Sequence, residues 1–547
     1  MIYKRILPLI AGLLMTPTSI ADLIEIDMTQ SVSSQQILSG QATTTWRYTG
    51  SMVSGPETTL SIIPNSYLGP VINVSTGDEI KVHMQNNLAY ETTTHWHGLD
   101  IPEAADGHPK DAFPPGASYD YEFIVRNRAG TYWYHPHPDM MTGEQVYRGL
   151  ASFFIVSDPA EQALDLPRGE YDLPICIQDG TFNSSNQWTY SPSMNGFIGN
   201  TTLVNGQKDF TVSAATRIYR LRVLNGSQTR ILKLSFLDNS IPMVVIGVDG
   251  GLLEAPREYP YIMLGPGERV ELWADFSNKE VGDSVGLRTV AFSDSAGPGQ
   301  GEFETLMNFT IDRNEEETLV LPTTLVPMGE IYNAADVVVS KTYPISFMMM
   351  DFMLNGSLFS MLYTAPNEEA HGNDLEMVTI TNTSGMMVQA HPIHFHGRQF
   401  QIYSRSVSSA GASAYETVQD GLVDDGWKDT FIIMPYETVK FIVRWSRYPG
   451  LFVYHCHNLP HEDMGMMRNF RLEEPLCPSD LNHDNVVNVA DLLAVIGAYN
   501  TPFGDITGDS RTNVSDILSL IGDWGACDVG FRNLPIERIP RMSIPSN

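Results

Sequence analysis

The segment His455-Cys456-His457-Asn458-Leu459-Pro460-His461, with Met466 ten residues beyond the cysteine, constrains this 547-residue chain more than any other. On an extended strand successive side chains point to opposite faces, so Cys456 faces one way while His455 and His457 face the other. One strand then serves two metal sites. A thiolate with His461 and a nearby thioether is a donor set suited to a one-copper electron-transfer centre, and paired imidazoles on the reverse face suit further copper. The cysteine lies on the shortest covalent route between the two.

The same format recurs as His95-Trp96-His97, His135-Pro136-His137 and His394-Phe395-His396. Scattering 14 histidines at random over the chain gives about 0.3 such pairs, so four together outweigh the false-positive risk of any single one. His391, three residues before His394, has the opposite strand parity and points away from the cluster that His394 and His396 join. Pro392 can bulge the strand without mixing these roles. His391, Cys456 and His461 are thus left for a mononuclear site with Met466 as weak axial ligand. His95, His97, His135, His137, His394, His396, His455 and His457 remain for a multinuclear cluster.

The motifs HWHG from His95, WYHPH from Trp133, HPIHFHG from His391 and HCHNLPHEDMGM from His455 resemble the four copper signatures of the multicopper oxidases. Their order and spacing are similar to those of bacterial laccases and cuprous oxidases, over roughly residues 40 to 472, with no copper position substituted. The resemblance implies four copper ions. His391, Cys456, His461 and Met466 would hold type 1 copper, His95 and His394 type 2, and His97, His135, His137, His396, His455 and His457 the type 3 pair. Oxygen would be reduced to water among the last three. Four electrons require four protons, hence carboxylates beside the cluster. Asp106, eleven residues after His95, and Glu462, directly after His461, occupy positions where similar enzymes carry proton-relay acids.

Between residues 22 and 475 short runs rich in Val, Ile, Thr, Tyr and Phe alternate with Gly, Pro, Asn and Asp, as in Ser152-Phe153-Phe154-Ile155-Val156. Helical periodicity is scarce there, so several β-sandwiches are expected. The resemblance implies an all-β chain of three cupredoxin-like Greek-key sandwiches, placed at 22–160, 161–330 and 331–475, followed by a small α-helical module. The middle unit contains no histidine and is expected to act as a spacer. The cluster should straddle the outer two, each giving four histidines.

The segment 476–528 is an internal repeat. Asp480, Asn482, Asp484, Asn488 and Asp491 are followed 25 residues later by Asp505, Thr507, Asp509, Asn513 and Asp516. Oxygen donors at loop positions 1, 3, 5, 9 and 12 suit calcium. The pair resembles a dockerin-type module, which implies two calcium ions and a cohesin-like partner. It departs from the usual loop in having Asp where a bidentate Glu is common, and Asn485 or Ser510 in place of Gly. Cys477 and Cys527 bracket the segment and could close it as a disulfide. Residues 529–547 are expected to be a flexible tail or a processing signal.

At the start, Lys4 and Arg5 precede an apolar run from Ile6 to Met15 and then Ser19-Ile20-Ala21, which reads as a secretory signal over 1–21. The run is shorter than the ~20 residues that span a bilayer. The remaining chain is expected to be secreted, either periplasmic or extracellular. The formal charge of −31 becomes −33 without Lys4 and Arg5, a balance that repels nucleic acid and anionic membrane. Cys176 lies in an apolar run and reads as an inert buried thiol.

The expected reaction is one-electron oxidation of a phenol or aromatic amine coupled to reduction of oxygen. A cuprous-ion oxidase is the alternative, because soft thioethers bind Cu(I) and Met348, Met349, Met350, Met353, Met386 and Met387 lie upstream of the third motif. Core gap-filling is the commoner use of methionine and is favoured here. A non-catalytic copper scaffold is the reading from another class, and the complete ligand set argues against it.

Overall fold

The computed structural model describes residues 22–348, 350–383, 387–475, 477–482, 486–501, 503–508 and 511–527. The expected leader, Met349, Met386, His483, Asp484, Asn485, Asp509, Ser510 and the tail from Asp528 lie outside them. Along Leu23–Gln35 and Glu79–Asn87 every second residue is buried over most of the strand, the mark of a sheet with one face to solvent. Gly130–His135 and Ile218–Asn225 are instead buried at every position. Such strands are covered on both faces, one by their own core and the other by a neighbouring unit.

The chain is mostly strand, in three pairs of packed sheets. The first pair comprises a four-stranded sheet, which includes Leu23–Gln35 and Glu79–Asn87, and a five-stranded sheet ending in Ser152–Ser157, Gly130–His135 and His95–His97. The second pair has six and five strands between Asp172 and Arg313. The third has two five-stranded sheets, and the central strands of one are Gly450–Cys456 and His391–Phe395. Each pair encloses a hydrophobic core of its own. No helix among the described residues is long and apolar enough to cross a membrane.

Register carries the histidines onto common faces. His95 pairs with His135 and His97 with Trp133, while Trp96 and Tyr134 between them enter the first core. His394 pairs with His455, while Ile393 opposite Cys456 enters the third core. The outer faces of these two sheets meet across the histidines.

The three units join at Arg269. Its guanidinium donates to both carboxylate oxygens of Asp429 at 2.7 and 2.6 Å, to Thr131 O at 3.0 Å, to Gly267 O at 3.0 Å and to Asp249 O at 2.9 Å. Thr131 belongs to the first unit, Asp249 and Gly267 to the second and Asp429 to the third. Lys428 beside it bridges Asp249 and Glu268, each at 2.9 Å. The glycine of the HWHG motif is explained here: Gly98 has φ +88°, and a Cβ would run into Asp429 and Arg269.

The module from Cys477 to Cys527 has its own small core of Val487, Val495, Ile506 and Leu520. Cys477 and Cys527 are disulfide-bonded, closing the segment whose ends they form. The module lies against the first unit, with Asp505 Oδ2 3.9 Å from Arg126 Nη2. At this size a core alone is marginal, and a cross-link of this span contributes about 4 kcal/mol on a chain-entropy argument.

Replacing Asp429 by Ala leaves a fully buried guanidinium without its bidentate partner, and the expected loss is about 3–5 kcal/mol, read as a lower thermal midpoint of the metal-free chain. Adding Arg269→Met should recover much of that loss. An Asp429→Ala midpoint equal to that of the parent would mean that Arg269 does not join the units.

Candidate metal centres

Cys456, His391 and His461 present one ligand atom each within 4.8 Å of one another. The Cys456 sulfur lies 3.4 Å from His391 Nδ1 and 3.8 Å from His461 Nδ1. Local backbone bonds set this geometry. Cys456 N–H donates to Met466 O, and Met466 N–H donates to His461 O, closing the loop between strand and ligands. Met466 is fully buried in the same core as Cys456. Phe352 covers the site, its ring 4.8 Å from His391 and 4.7 Å from His461. His461 Nε2 donates to Met194 O at 3.0 Å, towards the second unit.

All eight remaining pair-motif histidines are buried and converge in the seam between the first and third units. His95 Nε2 lies 3.4 Å from His394 Nε2, and His455 Nε2 lies 3.2 Å from both His137 Nε2 and His396 Nε2. His97 groups with His95 and His135, and the His457 ring sits 5.1 Å from that of His97 and 5.4 Å from that of His135. Anchors on the far nitrogens fix the rings. Nδ1 of His95 donates to Asp106 O at 2.7 Å, that of His394 to Asp429 O at 2.9 Å and that of His135 to Pro136 O at 2.9 Å. His97 is reversed, with Nε2 on Asp429 Oδ1 at 3.1 Å and Nδ1 turned inward. Such outer partners select the tautomer and aim the other nitrogen at a metal.

Buried ring nitrogens without a hydrogen-bond partner include His97 Nδ1 and His135 Nε2, whose outer nitrogens are anchored so that these two face the cluster. Buried polar atoms seldom go unsatisfied, and imidazole donors converging in this way fit copper ions. Electrostatics agrees. Burial, reinforced by neighbouring imidazoles, holds His95, His97, His394, His396 and His457 well below the ordinary histidine range. Burial likewise lowers His461 to about 4. These rings are neutral at pH 7, the state that binds metal. Burial pushes the Cys456 thiol up, so a cation is needed to hold it as thiolate.

Both acids expected beside the cluster are there. Asp106 Oδ2 lies 2.7 Å from His396 Nδ1, and burial raises its carboxyl well above the usual range, so it keeps a proton. Glu462 Oε2 lies 2.8 Å from His455 Nδ1 and Oε1 lies 3.5 Å from His137 Nε2. Burial opposes its ionisation, but His455 and His137 outweigh this and hold the carboxyl low.

Beyond bringing the outer two units together, the middle unit contributes to the site itself. It supplies Arg269 and Asp249, the carbonyl that holds His461, and Gly267, where a Cβ would press on the His457 ring at 2.9 Å. Asp429 was also missed, although it contacts His97 from 332 residues away. No spacing rule links such positions. In the sequence Asp429 is only an acid directly before the apolar run Thr430–Ile433, which does not mark it as a partner of His97.

Methionine placement is mixed. Met353 is buried and Met387 packs on the third core, as gap-fillers do, but Met348 and Met350 are 55% and 61% exposed. Met348 ends the first strand of a hairpin and Met350 directly precedes its second strand, Asp351–Leu354, which carries Phe352.

In the C-terminal repeat, Asp480 and Asp505 are buried. Asn488 and Asn513 are helix N-caps, each Oδ1 accepting a backbone N–H at 2.7 Å. Asp491 and Asp516 complete capping boxes, Asp516 accepting from Ile506 N at 2.7 Å, Thr507 N at 2.9 Å and Asn513 N at 2.7 Å. Four of the expected oxygen donors are therefore engaged by backbone.

Residues 44–161 and 336–475 each match a family model described as multicopper oxidase. The chain is 32% identical over 411 residues to the multicopper oxidase mco of Staphylococcus aureus, covering 74% of this chain and 82% of that protein. It is 30% identical over 480 residues to a laccase of Bacillus stratosphericus, covering 76% and 90%. The crystal structure of McoA multicopper oxidase from Aquifex aeolicus superposes with a TM-score of 0.72 at 31% identity, covering 83% of this chain and 97% of that one.

Copper(II) added to the metal-free chain at pH 7 is expected to release about one proton per mononuclear site filled, from Cys456, because His391 and His461 are already neutral. Calorimetry in two buffers of different ionisation heat counts that proton. Cys456→Ser should remove it, and an unchanged release in the variant would assign the proton elsewhere.

Proposed function

The chain belongs to the multicopper oxidase family, and on that premise we propose that it is a laccase-type oxidase of phenols or aromatic amines with oxygen as electron acceptor. One observation carries the reading. Cys456 sits in the mononuclear group while its chain neighbours His455 and His457 sit in the eight-histidine cluster. Copper bound at these centres would take single electrons from the donor at the mononuclear site and supply four of them to oxygen at the cluster, giving water.

In this proposal His391, Cys456, His461 and Met466 hold type 1 copper. His95 and His394 hold type 2, and His97, His135, His137, His396, His455 and His457 hold the type 3 pair. The backbone of Cys456 and its flanking histidines is the short covalent link between centres. Phe352 keeps water from the mononuclear ligands. Asp106 accepts at Oδ2 from His396 Nδ1–H and keeps its proton on the other oxygen, and Glu462 stays ionised beside His455, so one can give and the other receive near the oxygen site. The units 22–160, 161–330 and 331–475 are part of the same proposal, as is export directed by residues 1–21.

The cuprous-oxidase reading keeps one observation in its favour, the exposed Met348 and Met350 on the hairpin that leads to Phe352. For the C-terminal repeat we propose a dockerin-like role with two calcium ions and a cohesin-like partner. Support comes from the two aligned loops and from their buried first residues, Asp480 and Asp505.

Oxygen uptake by the copper-loaded chain with a phenol, an aromatic amine and Cu(I) decides the donor. Phenol or amine is expected to be fastest, and a tenfold advantage for Cu(I) would favour the cuprous reading. Cys456→Ser is expected to abolish the blue absorption and turnover together with the fold intact. Asp106→Asn should slow turnover by roughly 10²-fold while the blue band still bleaches at the normal rate without oxygen. Slower bleaching would remove Asp106 from the proton path.

A further inference from the structure

The helices Val489–Gly497 and Val514–Gly522 each show two apolar faces. Val495 and Leu520 point into the module and are fully buried, with Leu492 and Ile517 packed beside them. On the other face Val489, Leu493 and Ile496 are 57%, 63% and 51% exposed, and Val514, Leu518 and Ile521 are 56%, 63% and 52% exposed. Their i, i+4, i+7 spacing makes a stripe along each helix. Tyr499 and Trp524, also exposed, extend the correspondence. Every member has its counterpart 25 positions on. Scattered surface hydrophobes need no explanation, but a duplicated stripe marks a covered surface.

We propose that the chain's own C-terminal segment, residues 528–547, lies over this double stripe. The segment starts directly after Cys527, which the disulfide ties to the base of the module. Its 20 residues reach up to about 66 Å when extended, ample for two nine-residue helices about 14 Å long. It brings apolar side chains to match: Leu534, Ile539 and Ile544 recur every five residues, each followed by proline, with Ile536 and Met542 between. Proline fixes its own φ and biases the preceding residue to extended backbone, so less chain entropy is lost on docking.

Charge fits as well. The segment has three arginines against Asp528 and Glu537, whereas residues 477–527 have seven aspartates against Arg511 alone. Tethering at Cys527 gives an effective concentration of about a millimolar, so an intrinsic Kd near 0.1 mM keeps roughly nine molecules in ten covered. The segment therefore competes with any outside partner for the same surface. This inference needs only the two helices, and holds whether or not the loops take calcium.

The probe is a fluorescent synthetic peptide of residues 528–547, titrated by anisotropy into the copper-loaded full chain and into the same chain ending at Cys527. Binding to the shortened chain below about 1 mM, at least tenfold weaker to the full chain, is expected. Leu493→Asp with Leu518→Asp in the shortened chain should abolish binding. Because a surface change could still unsettle so small a module, a peptide carrying Ile539→Asp and Ile544→Asp is the second variant and should also fail to bind. No binding to the shortened chain, or equal binding to both chains, overturns the proposal. So does a full-chain dimer in sedimentation that Leu493→Asp with Leu518→Asp turns into monomer, since the occupant would then be a second copy.

Discussion

The bidentate pair of Arg269 with Asp429 is the interaction on which the architecture turns. It brings a cation from the second unit, a carboxylate from the third and the Thr131 carbonyl of the first to one dry point. Burial disfavours the charge on Arg269, and Asp429 and Asp249 outweigh it. Because Asp429 also accepts from His97 and its carbonyl from His394, the joint between units is at the same time the outer support of the cluster. Loosening one would loosen the other.

Around this joint the protein spends its charges asymmetrically. Asp249, Glu268 and Asp429 face Arg269 and Lys428, one carboxylate in excess, and Glu462 adds an ionised acid on the far side of the histidines while Asp106 stays protonated. A seam lined with buried imidazoles and flanked by the ionised Glu462 favours bound cations. Copper ions fit there, where His97 Nδ1 and His135 Nε2 turn inward without partners. The mononuclear site is the reverse case, a protonated thiol in an apolar core beneath Phe352, where only a soft cation offsets the burial of a thiolate.

Much of this was legible in sequence because strand parity is a local rule. Two residues apart means the same face, so His455 and His457 could be sorted from Cys456 without coordinates, and His391 from His394. Motif order likewise shows that the outer units share the cluster. The roles of Arg269, Asp249, Asp429 and Gly267 were not legible, since each acts across a contact between units and carries no spacing signature. The methionines were half legible: composition shows that they are there, but exposure of Met348 and burial of Met353 depend on which way one hairpin faces.

By itself the sequence determined the strand class, the division of ligands between two faces of one strand, the repeat at the C-terminal end and the chemistry those donors favour. These follow from covalent spacing and backbone period, which no later folding can alter. Tertiary structure alone decided which carboxylates support the imidazoles, how the middle unit enters the site and which apolar stripe of each C-terminal helix is left outward. Those depend on long-range packing, where a residue's partner is set by the meeting of surfaces hundreds of positions apart.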